Sequence, residues 1–231
     1  MLIVKVFNAL LLVLLMVTGC TDPISPNPNR LGYGYWPMDS GQVRTYFITD
    51  IDYPLVGEVD TQRYYLQERV GEILRQTDTD TVWALRRYTR TDTTQEWHLD
   101  SLWQARKTLT QGIVVENNVP VVKITFPVAE GADWDAHALS ARGTKTYFIE
   151  RLGDTTVIGN ATYDPTLRVI QSNNQDVLIM QDFAQEIFAD RIGLILRESR
   201  QFRYCNEDSC LGQQIIELGR HFRQTLIEHE P

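Results

Sequence analysis

Asp78, Thr79, Asp80 and Thr81 spell D-x-D-x-T. Such a string can carry phosphoryl transfer, the first Asp attacking and the second acting as general acid. That chemistry needs the first Asp at the end of a buried parallel strand. Leu74-Arg75-Gln76-Thr77 precede it and are too polar for one, and the chain lacks alternating helices. The acids also fail as a calcium loop. An EF-hand wants an acid or amide where Val82 stands, a Gly where Trp83 stands and a Glu where Thr89 stands. Asp135, His137 and Ser140 have the residue types of a Ser-His-Asp triad, but closeness in sequence gives no geometry. No Ser sits in a G-x-S-x-G context. His98, His137, His221 and His229 are scattered, so neither a metal nor a cofactor is expected. The expectation is a non-enzymatic chain, with a hydrolase as the last alternative.

Cysteines and tryptophans carry more. Cys205 and Cys210 enclose Asn206-Glu207-Asp208-Ser209. This is not the C-x-x-C spacing of redox pairs, and zinc would need two more ligands. In an oxidising compartment the pair reads as a structural disulfide. Trp36, Trp83, Trp97, Trp103 and Trp134, with Tyr46, Tyr64, Tyr65, Tyr88 and Phe126, either fill a core or line a cavity for an apolar ligand. Aromatics are common in strands, so core is the first expectation. Trp134, Trp97 and Trp103 are the candidates for touching a ligand or partner, Trp134 foremost.

The compartment follows from the N-terminus. Met1 to Cys20 carries one charge, Lys5, then nearly unbroken apolar sequence from Ala9 to Val17, then Thr18-Gly19-Cys20. The apolar run is short for a membrane span and ends in small residues, as a cleaved signal does. It resembles the bacterial lipobox, in which the Cys is acylated. The resemblance implies a signal peptide over residues 1–19, lipidation at Cys20 and anchorage through acyl chains, at about 0.8 kcal/mol per buried CH₂. Thr21, rather than Asp, after the Cys implies the outer membrane. The domain is expected to face the periplasm, with the cell surface as the alternative. Residues 20–34, with Pro23, Pro26 and Pro28, read as the lipidated Cys and an extended tether. Residues 35–231 read as a single β-rich domain.

The formal charge is −8, from 22 Lys and Arg against 30 Asp and Glu. That balance argues against nucleic acid as a partner. It also argues against charge-driven contact with anionic lipid, leaving the acyl chains to hold the membrane.

Strand signals fill the domain. Val43–Ile51, Arg63–Thr77, Val82–Thr89, Glu96–Thr108 and Val119–Phe126 are rich in β-branched and aromatic residues. In the last, Val122, Ile124 and Phe126 alternate with Val121, Lys123 and Thr125, the period of a half-buried sheet. Thr77–Thr81, Thr91–Thr94 and Gly153-Asp154-Thr155-Thr156 read as turns between runs. Arg191–Tyr204 and Gln213–Ile227 read as a long hairpin with the disulfide at its neck. Residues 127–143 look like an excursion. Phe183, Ile187 and Phe188 have helix-compatible spacing, so 181–190 reads as a short helix or a bulged strand. The fold class is mainly all-β: one strongly curved antiparallel sheet or open half barrel of meander hairpins, with one short helix.

Three stretches resemble a family of outer-membrane lipoproteins that bear a lipobox. They are Tyr35-Trp36-Pro37-Met38 with Gly41, Glu116-Asn117-Asn118 through Phe126-Pro127-Val128 and Trp134, and Phe188-Ala189 with Ile192-Gly193-Leu194-Ile195. The family brings no activity with it. Its implied shape, a curved antiparallel sheet, is similar in architecture to the half-barrel lipoprotein carriers of the periplasm, and fold does not fix function. The expected role is a binding or assembly module of the cell envelope that contacts another envelope protein. The alternative is a carrier that holds a lipid-like ligand on a concave aromatic face. A protein-binding role predicts a solid core with an exposed apolar patch or open edge. A carrier predicts a cavity of several hundred Å³ with few polar groups.

Overall fold

The computed structural model describes residues 31–176 and 178–231. The leader, Cys20 and tether residues 21–30 lie outside the described residues. The strands are β1 (Val43–Tyr53), β2 (Asp60–Gln76), β3 (Asp80–Arg90), β4 (His98–Thr108), β5 (Gln111–Glu116) and β6 (Val119–Thr125). They continue as β7 (Asp133–Asp135), β8 (Thr146–Ile158), β9 (Ala161–Asp176), β10 (Met180–Ala189), β11 (Gly193–Tyr204) and β12 (Ile216–Glu230). All twelve form one sheet in the order β6-β5-β4-β3-β2-β1-β12-β11-β10-β9-β8-β7, and every registered pair is antiparallel.

That order closes on itself. The two edges, β6 and β7, are consecutive in sequence and return to face each other. Val122 N–H donates to Ala136 O at 2.9 Å, and the Trp134 indole N–H donates to Val122 O at 2.9 Å. Neighbours in space are therefore neighbours in sequence all the way round, and the sheet is a nearly closed up-and-down barrel. Closure occupies part of the edge that an open sheet would leave unpaired, Val122 N–H and O.

Turn chemistry sets the hairpins. Asn117 and Asn118, at φ 49° and 65°, join β5 to β6 in the doubly left-handed turn that matches strand twist. Gly159-Asn160 joins β8 to β9. Asp92 caps the β3–β4 connection by accepting from Thr94 N–H at 2.8 Å. At the β11–β12 hairpin, Cys205 and Cys210 are bonded, with Cα atoms 5.9 Å apart, and Cys205 N–H donates to Ile215 O at 2.8 Å across the neck.

One end is plugged by the chain that leads into β1. Tyr33–Tyr35 form a 3₁₀ turn, and Trp36 and Met38 follow into the core. The segment spans the opening. Lys107 of β4 donates to Tyr33 O and Trp36 O at 3.4 Å, and Arg191 N–H, from the β10–β11 turn, donates to Gly34 O at 2.8 Å. Gly112 of β5 makes room for the indole. A Cβ there would lie 2.7 Å from both Trp36 Cδ2 and Ile124 Cγ2. Around the plug pack Leu85, Ile124, Ile149, Leu167, Val169 and Phe188, each nearly free of solvent. Burying one such aliphatic side chain contributes roughly 1.5–3 kcal/mol.

Four sequence expectations change. Residues 181–190 take the second of their two readings, a bulged strand, β10, with bulges at Ala184/Gln185 and Ile187/Phe188, so the short helix in the fold-class expectation is not formed there. Residues 153–156 are not a turn: β8 runs through them, with register shifts that absorb Gly153. Residues 31–34, grouped above with the tether, pack on the barrel, where Leu31 O accepts from Val128 N–H at 3.1 Å and Tyr33 stands edge-on to Phe126. The excursion over 127–143 contains β7 and closes the barrel.

Candidate functional site

The barrel encloses charge at its centre. Across β5 and β6, Ile113 pairs with Val122 and Gly112 with Ile124, so Lys123 is an extra residue on β6. Such a bulge re-aims a side chain. Lys123 turns into the barrel and is only 5% exposed. Its Nζ lies 2.8 Å from Glu186 Oε1 on β10 and 2.9 Å from Glu116 Oε1 on β5. Arg197 of β11 reaches the same two oxygens, its Nε 3.6 Å from Glu186 and its Nη1 3.8 Å from Glu116. Beside them Glu68 of β2 pairs with Arg87 of β3 at 3.2 Å, and the Arg87 guanidinium lies 3.8 Å over the Trp103 ring. Arg44 of β1, also buried, donates to Gln42 Oε1 at 2.7 Å and to Pro37 O at 3.0 Å.

The charges hold one another ionised. Burial alone would push the Glu116 carboxyl up. Lys123 and Arg197 outweigh it and bring the carboxyl down to about 2. Burial alone would lower the Lys123 ammonium, but Glu116 and Glu186 outweigh it and the net shift is upward. Near neutral pH Glu116 stays a carboxylate and Lys123 an ammonium, so neither is poised to exchange a proton.

The space left at this centre is about 40 Å³. Side chains from β1–β6 and β10–β12 line it, together with Trp36 and Met38 of the plug. At the opposite end of the barrel a cleft of about 650 Å³ opens between β2 and the β3–β4 hairpin, lined in part by Arg63, Arg87, Arg90, His98, Asp100 and Tyr64. It is open, and polar and apolar groups line it in equal measure.

The three tryptophans singled out by sequence do not come together. Trp134 is not an exposed contact residue. It is 9% exposed, its ring edge-on to Tyr147 at 6.2 Å and its N–H spent on barrel closure. Trp103 pairs in register with Leu85 and faces the interior. Trp97 stacks with Arg90 at 4.2 Å, on the other face of β3 from Arg87. The D-x-D-x-T string is a turn, with Thr77 N–H donating to Asp80 O at 2.8 Å, and Asp80 is paired with Arg75 and Arg106. Asp135, His137 and Ser140 cap a loop. Asp135 Oδ1 accepts from His137 N–H and Lys145 N–H at 2.9 Å, and Ser140 Oγ bonds His137 O at 3.1 Å.

Outside the barrel, apolar side chains collect where two hairpins meet. Leu178, Ile179, Leu211, Ile215 and Leu218 are between 39% and 50% exposed. The hairpins touch: Tyr204 N–H donates to Ile179 O at 2.9 Å, and a Cβ on Gly212 would meet Leu178 Cδ2 at 3.7 Å. Ile179, Leu218, Phe202 and Tyr204 line a groove of about 500 Å³ there. The disulfide staples one of the two hairpins.

No family model matches this chain, and no curated protein does. Among solved structures it is similar to a candidate exported protein with a YmcC-like fold from Bacteroides fragilis. Identity is 10% and the TM-score 0.46, over 85% of this chain and 99% of that one. It is also similar to a candidate lipoprotein from Parabacteroides distasonis, at 9% identity and a TM-score of 0.40, over 85% of this chain and 98% of the other. The fold described above stands on its own register and bonds. Lys123, Glu116, Glu186 and Arg197 had no local sequence signal, since Lys123 and Glu186 meet from positions 63 residues apart.

Proposed function

We propose that this protein is a non-enzymatic lipoprotein of the cell envelope, anchored through acyl chains on Cys20 at the outer membrane and facing the periplasm, where it binds another envelope protein. The observation that carries the reading is the filled barrel, with about 40 Å³ free at a centre crossed by ion pairs. A carrier of apolar cargo needs several hundred Å³ and few polar groups. The apolar surface instead lies outside, on Leu178, Ile179, Leu211, Ile215 and Leu218. Exposed apolar residues gathered where two hairpins meet, one of them stapled by the disulfide, support a docking surface. The non-enzymatic reading is supported by Asp80, which is spent on ion pairs with Arg75 and Arg106, and by Asp135, His137 and Ser140, which are spent on capping one loop.

A photo-crosslinking residue at Leu211 or Ile215, in intact cells, tests this. The expected result is one discrete protein adduct that Leu178→Asp abolishes and that is not formed from Leu55, an exposed residue of the β1–β2 loop. Adducts to lipid alone would favour the carrier reading. No adduct at either position would overturn the docking surface.

A further inference from the structure

We propose that the partner docked on the two hairpins is a basic protein segment, one that sets a few large apolar side chains among lysines and arginines. This rests on the docking surface proposed above and names the chemistry of its partner. Residues 176–182 and 203–218 hold all five apolar residues of the patch. They carry five acids, Asp176, Asp182, Glu207, Asp208 and Glu217, against a single base, Arg203. Half of the chain's formal charge of −8 thus falls on a tenth of its residues. Arg203 is spent locally, 3.5 Å from Glu217. The other four acids have no cation within 4.0 Å among the described residues, and Asp176, Glu207 and Asp208 are exposed. By contrast Asp50, Glu72 and Asp80, elsewhere on the barrel, each hold an arginine.

Charge sorts the occupants of this patch. A second copy of the chain, joined by a two-fold axis, would lay the same acids against themselves, and like charges facing across an interface oppose association. A bilayer surface with anionic headgroups is repelled by them too. The described chain also begins at the other end of the barrel, where Leu31 O accepts from Val128 N–H just past β6, whereas the patch sits on the β9–β10 and β11–β12 hairpins. Anchored through residues 20–30, as proposed above, the barrel meets its own membrane first at that end. A basic protein segment answers both features of the patch. Its apolar side chains fill the groove of about 500 Å³, which is the size of a small-ligand pocket and too small for a folded domain. Its cations meet the four carboxylates that lack a partner. Asp182 is among the residues that line the groove, so the charge reaches the apolar contact itself.

The test reads adduct yield from a photo-crosslinking residue at Leu211 of the full lipoprotein in intact cells. Glu207→Lys with Asp208→Lys should lower the yield about fivefold or more, the scale of one or two ion pairs at an interface rim. Glu207→Gln with Asp208→Asn should fall between that pair and wild type. Asp78→Lys with Asp154→Lys, exposed acids of the β2–β3 turn and of β8, should leave the yield unchanged, which separates local charge from net charge. Once mass spectrometry has located the linked segment, exchanging its nearest lysine or arginine for Glu should restore the yield of the lysine pair. A wild-type adduct whose yield ignores the lysine pair overturns the basic partner and leaves the docking surface standing. An adduct to a second copy of this chain, or to lipid alone, overturns the basic partner as well. No wild-type adduct removes the docking surface itself, and this proposal with it. Should the lysine pair lower Tm, the Gln and Asn pair decides, since it removes charge without changing size.

Discussion

Replacing Lys123 with Met tests the centre of the barrel. Met keeps the length and apolar stem of the side chain, so packing changes little. What disappears is the ammonium at 2.8 Å from Glu186 and 2.9 Å from Glu116. Glu186, with 2% of its side chain accessible, is then left facing only Arg197 at 3.6 Å. Breaking a buried pair by removing one partner costs about 3–5 kcal/mol, because the other charge stays buried. The assay is urea unfolding followed by tryptophan fluorescence, comparing midpoints at constant m. The loss should depend on pH with a definite sign. In the variant Glu116 loses the charge that does most to hold its carboxyl down, so it takes up a proton more readily than in wild type. Lowering the pH from 7 to 5 therefore stabilises the folded variant relative to wild type, and the gap should narrow by about 1 kcal/mol or more. Lys123→Met combined with Glu186→Gln should recover part of the loss, giving non-additivity of at least about 1 kcal/mol. A loss below about 1 kcal/mol at pH 7, or one that is the same at pH 5, would refute the network as drawn.

Four further outcomes follow from the same coordinates. The wild type should lose stability in acid through Glu116: its carboxyl is held at about 2 in the fold, so its contribution of about 3 kcal/mol is complete above about pH 4.3 and lost as pH falls toward the folded value. Glu116→Gln should flatten that acid limb in a pH series of urea midpoints. Gly112→Ala sets a methyl 2.7 Å from both Trp36 and Ile124 and should cost about 1–3 kcal/mol in calorimetry; an unchanged Tm would show that the plug can shift. Cys205→Ser should lower stability by about 2 kcal/mol, the chain-entropy value for so short a loop, under oxidising but not reducing conditions. Cys20→Ser should move the protein from the membrane to the soluble fraction on cell fractionation, and retention would dismiss lipidation as the anchor.

Period-two alternation located most of the strands, because a barrel strand with one buried face must repeat that way. Where it misled, a bulge was responsible. Phe183, Ile187 and Phe188 fit a helical spacing because β10 carries bulges at Ala184/Gln185 and Ile187/Phe188, each of which breaks the period of two. Lys123 falls with Val121 and Thr125 in a strict alternation, yet the bulge beside Gly112 turns it into the core. Gly153-Asp154-Thr155-Thr156 has turn composition but lies within β8, while the real turn is Gly159-Asn160. Asn117-Asn118 was a readable signal for the β5–β6 hairpin. The buried ion pairs were not readable, since their members meet only after the barrel closes. The part Trp134 takes in closure was unreadable for the same reason: its N–H partner, Val122 O, is on the strand that closure brings beside it.

The interior and the exterior of the barrel are linked by one constraint. Opening the centre to admit an apolar molecule would separate Lys123 from Glu116 and Glu186 and move the Trp36 plug that packs on Phe188 at 6.0 Å. Each separated buried pair costs a few kcal/mol. The apolar contact offered in return by a small cavity is worth about 25 cal/mol per Å², so the closed state wins unless the cargo brings its own charges. The same ion pairs that close the lumen brace β5, β6, β10 and β11 against one another. Bracing of that kind suits a rigid scaffold better than a container. It holds β11, and with it the base of the stapled β11–β12 hairpin, at a fixed height above the barrel, where Leu211 and Ile215 face solvent. On the docking role proposed above, loosening the centre, as in Lys123→Met, should weaken docking at Leu211 and Ile215 in proportion to lost stability, while Leu178→Asp should weaken docking with stability unchanged.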